Sequence, residues 1–233
     1  MTFDISPHVF PIVSARQRTD GVLAIDRFIG TGFWITDSGD FLTCKHVLDE
    51  IQTGMVPAIG QPFSENKGTY IPILKSVVHA NFDLAVGTAR VKQKTIPLEF
   101  YTGTFATGLD VSVFGHTDGG KLAGSLNLDV RYLKGHIVRT APPVIGIPSA
   151  QLVETSFGSP SGFSGAPLLV DFKVAGMLYS NVETKLQSYS VLEVDDSGRE
   201  YRETNSRIYE YGLSHHRDDL LKFIRSCDLE ALR

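Results

Sequence analysis

Ser159-Pro160-Ser161-Gly162-Phe163-Ser164-Gly165-Ala166-Pro167-Leu168-Leu169 places one serine between two glycines and then runs into an apolar stretch. A serine hydroxyl is a weak nucleophile until a base takes its proton. Attack on a carbonyl also creates an oxyanion, which needs backbone N–H donors aimed at it. Gly162 and Gly165 lack a Cβ and so permit positive φ and close backbone approach. The stretch predicts a turn that presents Ser164 Oγ, with the N–H groups of Gly162 and Ser164 directed at one point beside it. Ser159 and Ser161 are rivals by residue type, but neither has a glycine on each side.

Two upstream stretches supply the other parts of such chemistry. Thr43-Cys44-Lys45-His46-Val47 follows an apolar run, and Asn81-Phe82-Asp83-Leu84-Ala85-Val86 precedes another. A serine, a base and a carboxylate that orients the base make a hydrolytic triad, and here the order is His46, Asp83, Ser164. Order and settings together resemble the chymotrypsin-like (trypsin-like) serine proteases, in style their bacterial and HtrA-type branch. That family ends a strand with T-A-A-H, opens a segment with D-[LIV]-A-[LV] and carries its serine in G-x-S-G-x-P. Gly30-Thr31-Gly32-Phe33 likewise resembles the family's G-[ST]-G-F strand. The resemblance covers most of the chain, roughly residues 8 to 226.

The resemblance implies roles. His46 would be the general base and Asp83 would hold its tautomer, with Ser164 as the nucleophile and Gly162 and Ser164 as the oxyanion donors. It also implies a substrate pocket with its floor near Gly158 and one wall at Tyr179-Ser180-Asn181. No acidic residue stands at that floor in the sequence, so an uncharged side chain, apolar or small, is expected there; a basic preference would mean that the pocket floor lies elsewhere or that Glu154 reaches in from its strand. In the secreted digestive branch an aspartate precedes the serine and pairs with a newly freed N-terminal amine. Phe163 stands there in this chain, so burial of an apolar anchor is expected to replace that ion pair, with no N-terminal cleavage needed.

Competing chemistries fit less well. An α/β-hydrolase elbow needs G-x-S-x-G and the order Ser, Asp, His, whereas position 166 is alanine. Asp49 and Glu50 are competitors within four residues of His46, expected to point away on the same helical turn, and it is the resemblance, through the Asp83-Leu84-Ala85-Val86 setting, that favours Asp83 over them. Cys44 is two residues from His46 and is a poor nucleophile candidate. No H-E-x-x-H or paired C-x-x-C suggests a metal site, and no cofactor is expected.

The 233 residues can bury a large core in one or two units. No apolar run reaches the length of a membrane span, and a net charge of −4 gives no reason to expect nucleic acid as a partner. Met1-Thr2-Phe3-Asp4 lacks the basic and apolar regions of a signal peptide. The two cysteines, Cys44 and Cys227, suit a reducing compartment. The expected location is therefore the cytoplasm, and the resemblance points to a bacterial source.

Many short apolar runs broken by turn signals predict an all-β chain. Strands are expected at 9–15, 22–28, 31–36, 41–44, 55–59, 70–78 and 84–86. A second set is expected at 110–114, 132–139, 151–155, 166–170, 174–179, 187–194, 199–203 and 208–213. His46–Ile51 reads as one helical turn, and residues 90–106 as an interdomain link. Leu220, Phe223, Ile224, Cys227 and Ala231 fall at helical spacing in a tail helix over 218–232. The resemblance turns this into two six-stranded β-barrels with a C-terminal helix. One domain would span 1–95 and carry His46 and Asp83, a second would span 96–215 and carry Ser164, and the helix would fill 216–233.

The expected function is a serine endopeptidase acting on protein or peptide through an acyl-enzyme on Ser164. HtrA-type proteins add a C-terminal PDZ domain, for which this chain ends too soon, so a stand-alone protease domain governed by a separate partner is expected. The alternatives are a non-catalytic protein-binding module on the same fold and a small-ester hydrolase.

Overall fold

The computed structural model describes residues 4–64, 67–122, 125–141 and 151–232. Among them, twelve strands close into two antiparallel barrels of six. The first contains β1 (Val9–Gln17), β2 (Leu23–Trp34), β3 (Asp40–Thr43), β4 (Val56–Ser64), β5 (Lys67–Val78) and β6 (Ala85–Ala89), in the order β1-β2-β3-β6-β5-β4. A one-turn helix, α1 (Lys45–Asp49), follows β3. The second contains β7 (Asp110–Leu122), β8 (Ser125–Ala141), β9 (Leu152–Thr155), β10 (Pro167–Val170), β11 (Lys173–Val194) and β12 (Glu200–His216), in the order β10-β11-β12-β9-β8-β7. The predicted all-β fold with two barrels is what the chain adopts.

Aromatic side chains fill the first barrel. Phe10, Phe33, Trp34 and Phe41 are buried, with the Phe10 ring 4.3 Å from Trp34 and edge-on to Phe41 at 5.6 Å. Such tilted and edge-to-face pairs add to area burial. A second cluster, around Val113, Ile137, Leu168 and Leu178, fills the other barrel and includes Phe163.

Several expected strand ends are not ends. The two strands read at 22–28 and 31–36 are the single β2, whose pairing with β1 shifts register twice. Asp26 and Ile29 are the extra residues, so the glycine-rich break is absorbed as bulges that bend one strand. The four runs read between 174 and 213 are likewise two long strands, β11 and β12, joined at the expected Asp195-Asp196-Ser197-Gly198 turn. The tail helix is shorter than expected. α2 (Arg217–Ser226) stops because Cys227 is extended at φ −87°, ψ 133°, and α3 (Leu229–Leu232) follows. Leu220 and Phe223 bury the apolar face of α2, while the His216 ring caps its start by accepting from Asp218 N–H.

Residues 90–109 connect the barrels and touch both. Leu98 N–H donates to Trp34 O at 3.1 Å, and His8 Nδ1 lies 2.8 Å from Ile96 O. Then Val174 N–H donates to Glu99 O at 2.7 Å and Tyr101 N–H to Val174 O at 2.9 Å. No helix among the described residues is long and apolar enough to cross a membrane.

Candidate active site

β3 delivers the histidine. Its four residues are buried, and Cys44 then turns the chain as the extended N-cap of α1. Val47 faces inward, fully buried, and packs so tightly on Gly30 that a Cβ there would lie 2.6 Å from Val47 Cγ2. His46, one position earlier, is thereby turned outward, with its side chain 40% exposed.

His46 is held at two points by one carboxylate. Its backbone N–H donates to Asp83 Oδ1 at 2.8 Å, and its Nδ1 lies 2.5 Å from Asp83 Oδ2. With the carboxylate ionised, Nδ1 carries the proton and Nε2 is left as the basic nitrogen. That bond raises the His46 pKa above the ordinary value of 6.5 despite partial burial. Burial raises the Asp83 carboxyl, but the two bonds from His46 outweigh it and the net direction is downward.

The turn bearing Asp83 is built by a residue to which the sequence reading assigned no role. His79 Nδ1 accepts the N–H groups of Asn81 and Phe82 at 3.1 and 3.0 Å, and its ring stacks on Phe82 at 4.4 Å. Asp83 O in turn lies 3.1 Å from Nε2 of the buried His215. Burial pushes the pKa of His215 down to about 4, so this ring is neutral at neutral pH.

Gly162 and Gly165 frame Ser164 with φ of +94° and +88°, a region that side chains disfavour. Space excludes a side chain as well. A Cβ at Gly165 would sit 2.1 Å from Thr31 O, and one at Gly162 2.3 Å from Phe28 Cε1. Phe163 between them is fully buried in the second-barrel core, so the anchor expected from the sequence is present. The N–H of Phe163 donates to Pro160 O at 3.0 Å and that of Gly165 to Leu178 O at 2.8 Å. Among the described residues, the N–H groups of Gly162 and Ser164 have no acceptor.

The first barrel grips this turn through Thr31. Its N–H donates to Ser164 O at 2.9 Å and its Oγ1 donates to Gly162 O at 2.8 Å, while accepting from His116 N–H at 3.2 Å. Thr43 Oγ1 donates to Thr31 O at 2.8 Å. Thr31 stood inside the Gly30–Phe33 stretch, but nothing in its spacing predicted contacts with a segment more than a hundred residues away.

His46, Gly162 and Ser164 line one open cleft of about 560 Å³, together with Phe28, Ser159 and Asn181. No hydrogen bond joins Ser164 to His46 among the described residues. Apo sites often hold such a pair apart until substrate arrives. Cys44, His46 and Asp83 also bring possible metal-ligating atoms within 4.8 Å of one another. The set does not fit a metal. Burial raises the Cys44 thiol well above its ordinary pKa, its Sγ donates to Leu178 O at 3.3 Å, and His46 Nδ1 is already engaged by Asp83.

Of the four expected substrate contacts, Ser180 and Asn181 line the cleft. Tyr179 is instead the extra residue of a bulge in β11, buried with its ring stacked on His215 at 4.3 Å. The expectation of no acid near Gly158 is corrected. A Cβ on Gly158 would meet Glu210 Oε2 at 2.7 Å, because β12 brings Glu210 across a sequence separation that hid it. Glu154 does not reach in; it is tied to Arg139.

No protein-family model matches the sequence, and no curated protein matches it either. Solved structures do. The active form of the Rv3671c protease from M. tuberculosis superposes with a TM-score of 0.58 at 17% identity, over 93% of this chain and 79% of that one. The MamO protease domain from Magnetospirillum magneticum gives 0.58 at 15%, over 94% and 96%. Deg5 gives 0.58 at 17%, over 75% and 80%. What these identities establish is a shared fold.

Proposed function

We propose that this chain, with its chymotrypsin-like fold, is a serine endopeptidase. Ser164 Oγ attacks the carbonyl carbon of a peptide bond while His46 Nε2 takes its proton. Asp83 keeps Nδ1 protonated and offsets the charge of the imidazolium. The oxyanion accepts from the N–H groups of Gly162 and Ser164. His46 then gives its proton to the leaving amine, and an acyl-enzyme remains on Ser164. Water, deprotonated by His46, attacks the acyl carbon and releases the new carboxylate and the serine. Residues 1–95 contribute the base and its partner, and residues 96–215 the nucleophile. The substrate is protein or peptide, and the chemistry needs no cofactor.

The observation that carries this reading is one cleft shared by a carboxylate-held histidine and a serine, where the N–H groups of Gly162 and Ser164 have no acceptor among the described residues. A fluorophosphonate tests it. Stoichiometric labelling of the intact chain at Ser164, lost in Ser164→Ala, is expected, together with casein or peptide hydrolysis. Ser164→Ala and His46→Ala should each lower turnover by about 10⁴–10⁶-fold, with little further loss in the double variant. A chain that binds peptides but takes up no label is a binding module instead. One that labels and hydrolyses esters but no peptide is an esterase.

A further inference from the structure

Asn181 spends both ends of its carboxamide on one residue across the cleft. Its Oδ1 accepts from Ser159 N–H at 2.5 Å and its Nδ2 donates to Ser159 O at 2.8 Å. Ser159 belongs to the loop that leads into Ser164, and Asn181 to β11 on the opposite wall. One side chain therefore stitches the two walls together beside the nucleophile. The cleft is bounded by Ser159 and Asn181 and does not extend to Gly158 or Glu210. Beyond the stitch, the exposed Glu210 lies with its carboxylate against Gly158 and has no ion-pair or hydrogen-bond partner among the described residues.

We propose that Asn181 is a crossbar that sets substrate specificity: it closes the cleft at Ser159 and keeps the residue before the scissile bond apart from the Glu210 carboxylate on the far side of Gly158. The proposal rests on the endopeptidase reading and deepens it. A side chain of glycine, alanine or serine fits in front of the crossbar. A longer one must displace the carboxamide and leave Ser159 N–H and C=O without partners, a cost that makes polar sites discriminate sharply. Without the crossbar, a guanidinium or ammonium could pass Ser159 and meet Glu210. The strand that carries Glu210 thus holds a basic-residue specificity that the Asn181 side chain keeps out of use.

Three proteins test this: wild type, Asn181→Gly, and Asn181→Gly with Glu210→Gln. Peptide libraries varied at the residue before the cleaved bond should show wild type favouring alanine over arginine by about 100-fold. Asn181→Gly should raise kcat/KM for arginine by at least about tenfold, and the second change should remove that gain. Fluorophosphonate labelling of each protein reports an intact nucleophile separately. Binding of benzamidine, a planar cation, gives a readout free of catalysis. It should be undetectable in wild type, appear in Asn181→Gly and vanish in the double variant. A wild type that prefers arginine or binds benzamidine as well as Asn181→Gly overturns the proposal. So does an Asn181→Gly protein that labels normally yet keeps the wild-type profile and binds no benzamidine. Absence of peptidase activity with the expected benzamidine pattern would overturn the endopeptidase reading and leave the crossbar standing.

Discussion

Thr31 is the residue on which the geometry at Ser164 most depends from outside its own loop. Thr31→Val keeps the shape and removes the hydroxyl, leaving Gly162 O and His116 N–H without their partner. Each buried group so stranded costs about 1–3 kcal/mol, and a small shift of the turn lowers turnover by about 10–100-fold. The expected result is a lower melting temperature and a lower kcat, with KM little changed, measured on one peptide. Phe163→Ala removes an anchor that is fully buried and should cost about 3–5 kcal/mol in a denaturant titration. The His46–Asp83 bond sets the pH response. A base whose pKa is raised stays protonated to higher pH, so kcat/KM should climb along a limb centred above the ordinary histidine value of about 6.5. Asp83→Asn should cut activity by about 10⁴-fold through the wrong tautomer. The pairing of His46 with Asp83 and the meeting of His46 and Ser164 at one cleft were legible in the sequence because each residue lies in a short local pattern. Thr31 and His215 were not, since their partners come from other elements and nothing local marks the pairing; His79 bonds only its near neighbours Asn81 and Phe82, but no familiar pattern marks a histidine as the builder of that turn. Asn181 was read as part of a wall, but a carboxamide that crosses to Ser159 has no sequence signature.

At the level of elements, alternation and turn residues identified strands better than strand lengths. Gly30 and the polar run at Asn181–Lys185 read as interruptions, yet bulges at Asp26, Ile29 and Tyr179 carry the ladders through them. A bulge keeps a strand paired while it changes which side chains face the core, so periodicity breaks where the strand does not. The same effect turned Tyr179 inward. β10 pairs with β11 only as far as Met177, so from Val182 to Val194 that strand's one ladder is with β12 among the described residues. A two-stranded ribbon is marginal by itself, and Leu186, Leu192, Val194 and Ile208 are exposed along it. Replacing residues 184–208 with a short turn should therefore leave the melting temperature within a few degrees and fluorophosphonate labelling intact. Loss of labelling would mean that the ribbon supports the cleft walls. At the other end of β12, Leu220→Ala in α2 should cost about 2–5 kcal/mol, because that side chain is fully buried.

For the whole molecule, buried imidazoles set the acid limit, His216 adding to the two most strongly shifted. Burial pushes His116 and His215 down to about 4, whereas an unfolded histidine titrates near about 6.5. The unfolded chain thus binds more protons between those values, and stability is lost as pH falls through that window, by up to about 3 kcal/mol for each ring. His46 runs the other way: its raised pKa adds stability that is fully present below the unfolded value and fades as pH rises through the folded one. Denaturant midpoints at pH 7.5 and 5 should show the first effect dominating, and His116→Gln should flatten the difference. The grip of Thr31 on the Ser164 turn has a consequence for assembly. A nucleophile held in place by the opposite barrel makes labelling a report on whether the two halves have met. Residues 1–95 and 96–233, produced as separate chains, should each be inert to a fluorophosphonate. On mixing, reactivity should emerge at a rate proportional to the product of their concentrations, and Thr31→Val in the first fragment should slow its appearance. The chain would then serve as a split reporter whose signal is its own covalent mark.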